Sequence, residues 1–173
     1  MTFLTRIFGG KRDRNTYRPL YDAIVNAGRA PDWYVAGQVP DSIDGRFDMI
    51  AAVLALTLIR LEEDGEGTRD ASVLLTELFI DDMDGSIRQL GIGDLMVGKH
   101  VGRMMGALGG RLAAFRSAIE AGHGFDATVV KNIFHDAPPS EEAVRHVSRR
   151  LGELHRQLAD IPSQQLLEGT FPG

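Results

Sequence analysis

The sequence predicts an all-α protein with a single compact domain of about six helices. Apolar residues recur at helical spacing in several segments, and no stretch alternates polar and apolar residues for long enough to form a convincing strand. The length of 173 residues, with 43% apolar and 25% charged residues, is typical of one globular domain. We divide the chain into a basic N-terminal arm over 1–15, a helical domain over 16–160 and a C-terminal tail over 161–173.

The first two helices have recognisable ends. The first is predicted over 16–27, with Pro19 in its first turn and Gly28 after its end. A connector over 31–40 follows, and the second helix begins near Asp41 or Ser42, both of which can cap a helix. The apolar run over 49–59 is shorter than the roughly 20 residues needed to cross a bilayer. It therefore predicts a helix buried in the protein's own core.

Four further helices complete the predicted domain. They cover 68–83, 94–121, 125–134 and 140–159, with a loop over 84–93 between the first two of them. The last helix has one narrow apolar stripe, formed by Val144, Val147, Leu151, Leu154 and Leu158.

Charge is unevenly distributed along the chain. Residues 1–18 contain five basic residues and one acidic residue, whereas the whole chain has a net charge of −5, so the body is strongly acidic and general nucleic-acid binding is not favoured. The arm combines apolar with basic side chains: Phe3, Leu4, Arg6, Ile7, Phe8, Lys11, Arg12 and Arg14. This pattern is typical of a segment that lies on an anionic membrane surface, and a disordered tail is the alternative.

The sequence contains no recognisable catalytic machinery. It has no cysteine, which excludes disulfides, zinc–thiolate sites and a thiol nucleophile and agrees with a reducing compartment. The five histidines form no pair at helical ligand spacing, and there is neither a nucleophile elbow nor a phosphate-binding glycine loop. Nor does the N-terminus resemble a secretory signal. We therefore expect a cytoplasmic protein, peripheral to the inner membrane through its arm, with no catalytic residue, metal or cofactor.

An acidic cluster occupies Asp81, Asp82 and Asp84. Clustered carboxylates could hold magnesium, as in helical isoprenoid synthases, but the second acidic cluster that such enzymes need is missing. A solvated helix end and turn is the alternative.

The fourth predicted helix has a row of glycines at every fourth position: Gly98, Gly102, Gly106 and Gly110. Each glycine destabilises a helix by about 1 kcal/mol relative to alanine, so some compensating contact is expected. That contact is either close packing of another helix of the same domain or docking of a partner helix. The apolar stripe of this helix, predicted to face the core, comprises Val101, Met104, Met105, Leu108, Leu112, Phe115 and Ile119. Lys99 and Arg103 lie one turn apart, away from that stripe, and are expected to face solvent or a partner.

Three segments resemble the ubiquinol–cytochrome c chaperone family. They are Asp44-Gly45-Arg46-Phe47-Asp48-Met49-Ile50, the central block from Phe79-Ile80-Asp81-Asp82-Met83-Asp84 through Arg88 and Leu90-Gly91-Ile92-Gly93-Asp94-Leu95 to Val97-Gly98-Lys99, Val101 and Met104, and Gly110-Arg111-Leu112-Ala113-Ala114-Phe115. The resemblance extends over about 16–160. It implies a helical, non-enzymatic assembly factor that binds newly made cytochrome b and promotes assembly of the cytochrome bc complex. It also implies a small partner protein and the ribosome as further partners.

Binding is therefore the expected activity, and partner contact is predicted on the acidic cluster, the loop that follows it and the fourth helix: Asp81, Asp84, Arg88, Gly98, Lys99, Gly102, Arg103 and Gly106. Two alternatives stay open. One is a helical adaptor for another membrane-protein client, and the other is a metal-dependent helical enzyme that uses the acidic cluster.

Overall fold

The computed structural model describes residues 15–89 and 94–173, apart from the side chains of residues 87–89, 94–98, 100 and 101. Its regular elements, within these residues, are helices: α1 (Arg18–Gly28), α2 (Pro31–Val35), α3 (Ile43–Glu62), α4 (Arg69–Gln89), α5 (Asp94–Glu120), α6 (Asp126–Asn132), α7 (Glu141–Asp160) and α8 (Ser163–Leu167). A 3₁₀ turn over Gly65–Thr68 joins α3 to α4. The prediction of an all-α domain is confirmed, and the six predicted helices are all present.

Helix α3 forms the centre of the domain. Its residues from Asp48 to Leu61 are all buried, because α1, α4, α5 and α7 pack around it. A helix that is apolar on every side is expected to be enclosed in this way. The interpretation of 49–59 as a core helix is therefore confirmed.

The ends of the helices are fixed by specific hydrogen bonds. Ser42 and Ser140 cap α3 and α7, and their hydroxyls accept hydrogen bonds from the backbone N–H groups of Gly45 (3.1 Å) and Ala143 (3.0 Å). Just before α4, the Thr68 hydroxyl donates to the backbone carbonyl of Leu61, near the end of α3. It thereby ties the turn between α3 and α4 to the core helix.

Two five-residue helices lie in segments where the sequence predicts none. The predicted connector contains α2, whose Trp33 indole donates to the carbonyl of Ala27 near the end of α1 (2.7 Å). The predicted C-terminal tail contains α8, which contacts α1 and buries Leu166 in the core. Both helices are too short for a periodic pattern to reveal them.

The largest correction concerns α4. The sequence predicts that this helix ends at Met83 and that a loop begins at Asp84, but the helix continues to Gln89. Aspartate, glycine and serine have low helix propensity, and this composition is what favours a loop in the prediction. Packing of α4 against α5 and α3 outweighs that preference.

Candidate functional site

A buried cluster of charged side chains connects three elements of the domain. Asp48 of α3 and Arg111 of α5 form an ion pair in which only 4% and 5% of the side chains are exposed. Arg111 also donates to the carbonyls of Asn132 (2.9 Å) and Ala107 (3.3 Å). The second carboxylate oxygen of Asp48 lies 2.7 Å from Nε2 of His135, just after α6. Asp48 is therefore the point at which α3, α5 and the end of α6 are joined.

Burial affects the two charged partners in opposite directions. It raises the pKa of Asp48, although the nearby Arg111 and His135 oppose this shift. It lowers the pKa of the Arg111 guanidinium, which Asp48 in turn opposes. Each charge is thus destabilised by loss of water and held in place by its partner, as is usual for a buried ion pair.

An open groove of about 860 Å³ lies directly over this cluster. We call it the Phe47 groove, after a residue whose ring lies 5.5 Å from the Arg111 guanidinium carbon. Its lining combines apolar side chains of α3, α4 and α5 with a polar edge that includes Lys131 and His135. The apolar part comprises Ile43, Phe47, Met83, Met104 and Ala107. Ile43 is 55% exposed, which is unusual for a large apolar side chain.

The three segments that carry the family resemblance meet at this groove. Phe47 and Asp48 come from the first segment, Met83 and Met104 from the central block, and Gly110 and Arg111 from the third. They are far apart in the sequence, and the packing of α3, α4 and α5 brings them together. Sequence reasoning identified the segments but not their meeting point.

The acidic cluster lies wholly within a helix, whereas the sequence predicts a helix end at Met83 and a loop from Asp84. Asp81, Asp82 and Asp84 lie on helix α4, and Asp82 accepts a hydrogen bond from the Tyr21 hydroxyl (2.9 Å). Burial, followed by the nearby charge of Asp82, raises the pKa of Tyr21 well above its usual range. Asp82 thus helps to fix α1 on α4. Among the described residues, no group of three or more His, Asp or Glu side chains is arranged to hold a metal ion.

The described glycines of the row on α5 face solvent. A Cβ atom built on Gly102, Gly106 or Gly110 would meet no atom of the described residues within 4 Å, apart from the helix's own nearby backbone. Within the described part of the chain, the interpretation that another helix of this domain packs closely against these three glycines is therefore wrong. Lys99 and Arg103 are exposed beside them, and Arg103 also lines the Phe47 groove.

The remaining predicted contact residues fall wholly or partly outside the described residues. Gly98 is described only as part of helix α5, and the side chain of Arg88 lies outside the described residues. So do all arm residues predicted to meet a membrane: Phe3, Leu4, Arg6, Ile7, Phe8, Lys11, Arg12 and Arg14. Of the helices in the described residues, none is both long enough and apolar enough to cross a membrane.

Of the residues that line the Phe47 groove, sequence reasoning predicted Arg103 as a contact residue and missed the rest. Asp48 and Arg111 are single charged residues in helices, and isolated charges of this kind usually lie on the surface. One feature of the sequence could have indicated that Asp48 is buried. It directly precedes the longest apolar run of the chain, which is predicted to lie in the core. His135 adopts a left-handed backbone conformation (φ = 50°), a feature with no clear sequence signature here.

The fold and the groove define a single helical domain with a partly apolar surface above a buried ion pair. The chain belongs to the ubiquinol–cytochrome c chaperone family, since the sequence model of that family matches residues 36–172. Its fold is also similar to the crystal structure of the Cbp3 homolog from Brucella abortus. The TM-score is 0.80 with 25% sequence identity, and the match covers 99% of this chain and 97% of that one. No curated protein sequence matches the chain.

Proposed function

We propose that this protein is a non-enzymatic assembly factor that binds newly made cytochrome b and promotes assembly of ubiquinol–cytochrome c reductase. The proposal rests on the convergence of three family-like segments on the Phe47 groove. A groove assembled from the family-like segments is the natural place for an activity shared within the family. The similarity to a Cbp3 homolog over almost the whole chain supports the same role.

The groove is suited to an apolar segment of a client. Ile43 and Phe47 present apolar surface that a bound apolar segment would shield from water. Lys131 and His135 supply a polar edge. An apolar centre with a polar rim is the usual anatomy of a protein-binding surface. The ion pair of Asp48 and Arg111 keeps α3 and α5 in register beneath it, so we assign these two residues a positioning role.

We also propose that α5 contributes the open face predicted to contact a partner. Gly102 and Gly106 carry no side chain and lie next to the groove edge formed by Gly110 and Arg103. The backbone of a bound helix can approach such a face closely. Lys99, Arg103, Asp81 and Asp84 would then surround the bound client with charge, with Arg88 and Gly98 completing the predicted contact set.

The arm gives this proposal a cellular setting. We propose that residues 1–14 attach the protein reversibly to the cytoplasmic face of the inner membrane, where a membrane-protein client is made. The support is the sequence alone, namely basic side chains interleaved with Phe3, Leu4, Ile7 and Phe8.

The test is capture of cytochrome b by the tagged full chain. We expect cytochrome b to co-purify with the parent, and Ile43→Gln combined with Ala107→Glu to reduce the yield severalfold because both changes place polar atoms in the groove. Val35→Gln is the matched control, since Val35 is 79% exposed and does not line the Phe47 groove. All variants should melt like the parent.

Two results would count against the proposal. If the groove variant captures cytochrome b as well as the parent, the client site lies elsewhere. If a different membrane protein co-purifies and cytochrome b does not, the chain is an adaptor for that other client.

A further inference from the structure

A second groove lies on the other side of α5, between α5 and α4. Its volume is about 600 Å³, and it shares no lining residue with the Phe47 groove. We call it the Met105 groove. Its apolar side chains are Leu58, Val73, Ile80, Met105 and Leu112.

Two of these side chains are exposed although they are large and apolar. Met105 is 44% exposed and Val73 is 41% exposed. In the described residues only four large apolar side chains are this exposed, so half of them line this one groove. Met105 belongs to the apolar stripe that the sequence predicts for the core, and the domain leaves it uncovered. Apolar surface gathered in a concave site favours contact with another apolar surface.

The rim of the Met105 groove is acidic. Glu62, Glu66 and Glu77 line it, whereas Arg69 is the one basic residue in the described lining. Glu62 is paired with Arg116 and Glu66 with Arg69, but in the described part of the chain Glu77 has no hydrogen bond or ion pair. Glu63 and Asp64 are exposed next to this rim, and both pair with Arg60 (3.7 and 3.3 Å). The lining itself holds three glutamates against one arginine, and Glu77 has no cationic partner among the described residues, so the groove favours a positively charged partner.

We propose that the Met105 groove binds an amphipathic helix with basic flanks, supplied by a partner protein other than the client. Such a helix would lay an apolar stripe over Met105, Ile80 and Leu112 and place lysine or arginine side chains against Glu77 and Glu62. The Phe47 groove and the Met105 groove flank α5 from opposite sides, so a partner bound in one groove leaves the other groove free. This inference goes beyond the proposed function because it assigns a second binding surface.

The experiment uses the full chain and a fluorescent synthetic helix with leucine at positions i, i+3, i+4 and i+7 and lysine elsewhere. A second peptide carries glutamate in place of lysine. We expect the basic peptide to bind at least about tenfold more tightly in anisotropy titrations, and salt to weaken its binding, because the rim steers and holds opposite charge.

Groove variants locate the binding site. Met105→Gln combined with Glu77→Lys should weaken binding of the basic peptide at least about tenfold, because it removes an apolar anchor and reverses a rim charge. Val35→Gln combined with Glu142→Lys is the matched control, since it alters an exposed apolar and an exposed acidic residue that do not line the groove. The control should bind like the parent, and melting curves should show that both double variants fold.

Three results would overturn the inference. The first is equal binding of the basic and acidic peptides, and the second is unchanged binding by the groove variant. The third is binding that appears only after residues 1–14 are deleted, since the groove would then be the site of the chain's own basic segment.

Discussion

Arg111 on α5 and Asp48 on α3 form a buried ion pair directly beneath the groove on which the family-like segments converge. The pair connects the central helix to the helix that separates the two surface grooves. Two of the Arg111 donors also bond to backbone carbonyls of Ala107 and Asn132, so the guanidinium fixes α5 relative to the end of α6. The shape of the Phe47 groove depends on this one contact network.

Breaking the pair from one side should be strongly destabilising. Asp48→Asn leaves the Arg111 charge buried without its partner, and we expect a loss of about 3–5 kcal/mol in the free energy of unfolding. The double change Asp48→Leu with Arg111→Met should lose much less, because no unpaired charge is left behind. Urea unfolding of both variants and the parent measures the difference. If the double variant is as unstable as Asp48→Asn, the unpaired charge of Arg111 is not the cause of the lost stability.

Two glycines should respond in opposite ways to the same substitution. Gly106→Ala should stabilise the protein by up to about 1 kcal/mol, because the glycine lies in a helix and its added Cβ meets no neighbour. Gly28→Ala should destabilise it by about 1–3 kcal/mol, because its Cβ would lie 2.8 Å from Cα of Ile50 where α1 crosses α3. Thermal unfolding distinguishes the two. A loss of stability in Gly106→Ala would show that the glycine face is covered.

The glycine row illustrates what the sequence predicts and what it leaves open. Spacing placed Gly102 and Gly106 on one face of a helix, and the structure agrees. Whether that face is covered depends on where other helices pack, which spacing within one helix does not determine. The stripe of α7 was predictable because each apolar member repeats at three or four residues and all five are buried. The buried position of Asp48 was not predictable, because its partner Arg111 lies 63 positions away and only the tertiary fold brings the two residues together.

The stability of the protein should decrease between neutral and mildly acidic pH because of His155. Burial lowers the pKa of His155 below its ordinary value of 6.5; nearby Arg156 lowers it further, and Glu63 opposes both. The unfolded chain therefore binds this proton more readily than the folded chain, so stability falls as the pH drops through 6.5 towards the lower folded pKa.

The variant His155→Phe should reduce this pH dependence, since its ring can pack beside Phe125, which His155 already contacts. Unfolding free energies of parent and variant at pH 8 and pH 5.5 provide the measurement. Acidification from pH 8 to pH 5.5 should lower the unfolding free energy of the parent more than that of the variant. At pH 8 the two proteins should have similar unfolding free energies. An identical loss of stability on acidification in both would exclude His155 as the source.

Deletion of residues 1–14 tests the predicted membrane arm. The parent should sediment with anionic vesicles at low salt and less at high salt, because basic side chains of the arm are attracted to the lipid headgroups. The truncated chain should remain in the supernatant, yet melt at the parent's temperature. Neutral vesicles are the control for apolar attachment alone. Equal sedimentation of both chains at both salt concentrations would show that residues 1–14 do not attach the protein to the membrane.

Charge reversal on α5 tests whether its exposed basic pair meets the client. Lys99 and Arg103 are both exposed, so Lys99→Glu with Arg103→Glu should change the unfolding free energy by less than about 1 kcal/mol. Capture of cytochrome b should nevertheless become slower and weaker. Arg103 lines the Phe47 groove, and a negative charge at this position would repel acidic groups of the client.

The matched control is Arg145→Glu with Arg149→Glu on α7, a pair with the same spacing whose members are both 64% exposed and do not line the groove. Both double variants change the net charge by the same amount, so a general effect of charge would weaken capture equally. Loss of capture confined to the α5 variant places the client on α5. Unchanged capture in that variant would leave the apolar floor of the Phe47 groove, tested through Ile43 and Ala107, as the contact surface to examine.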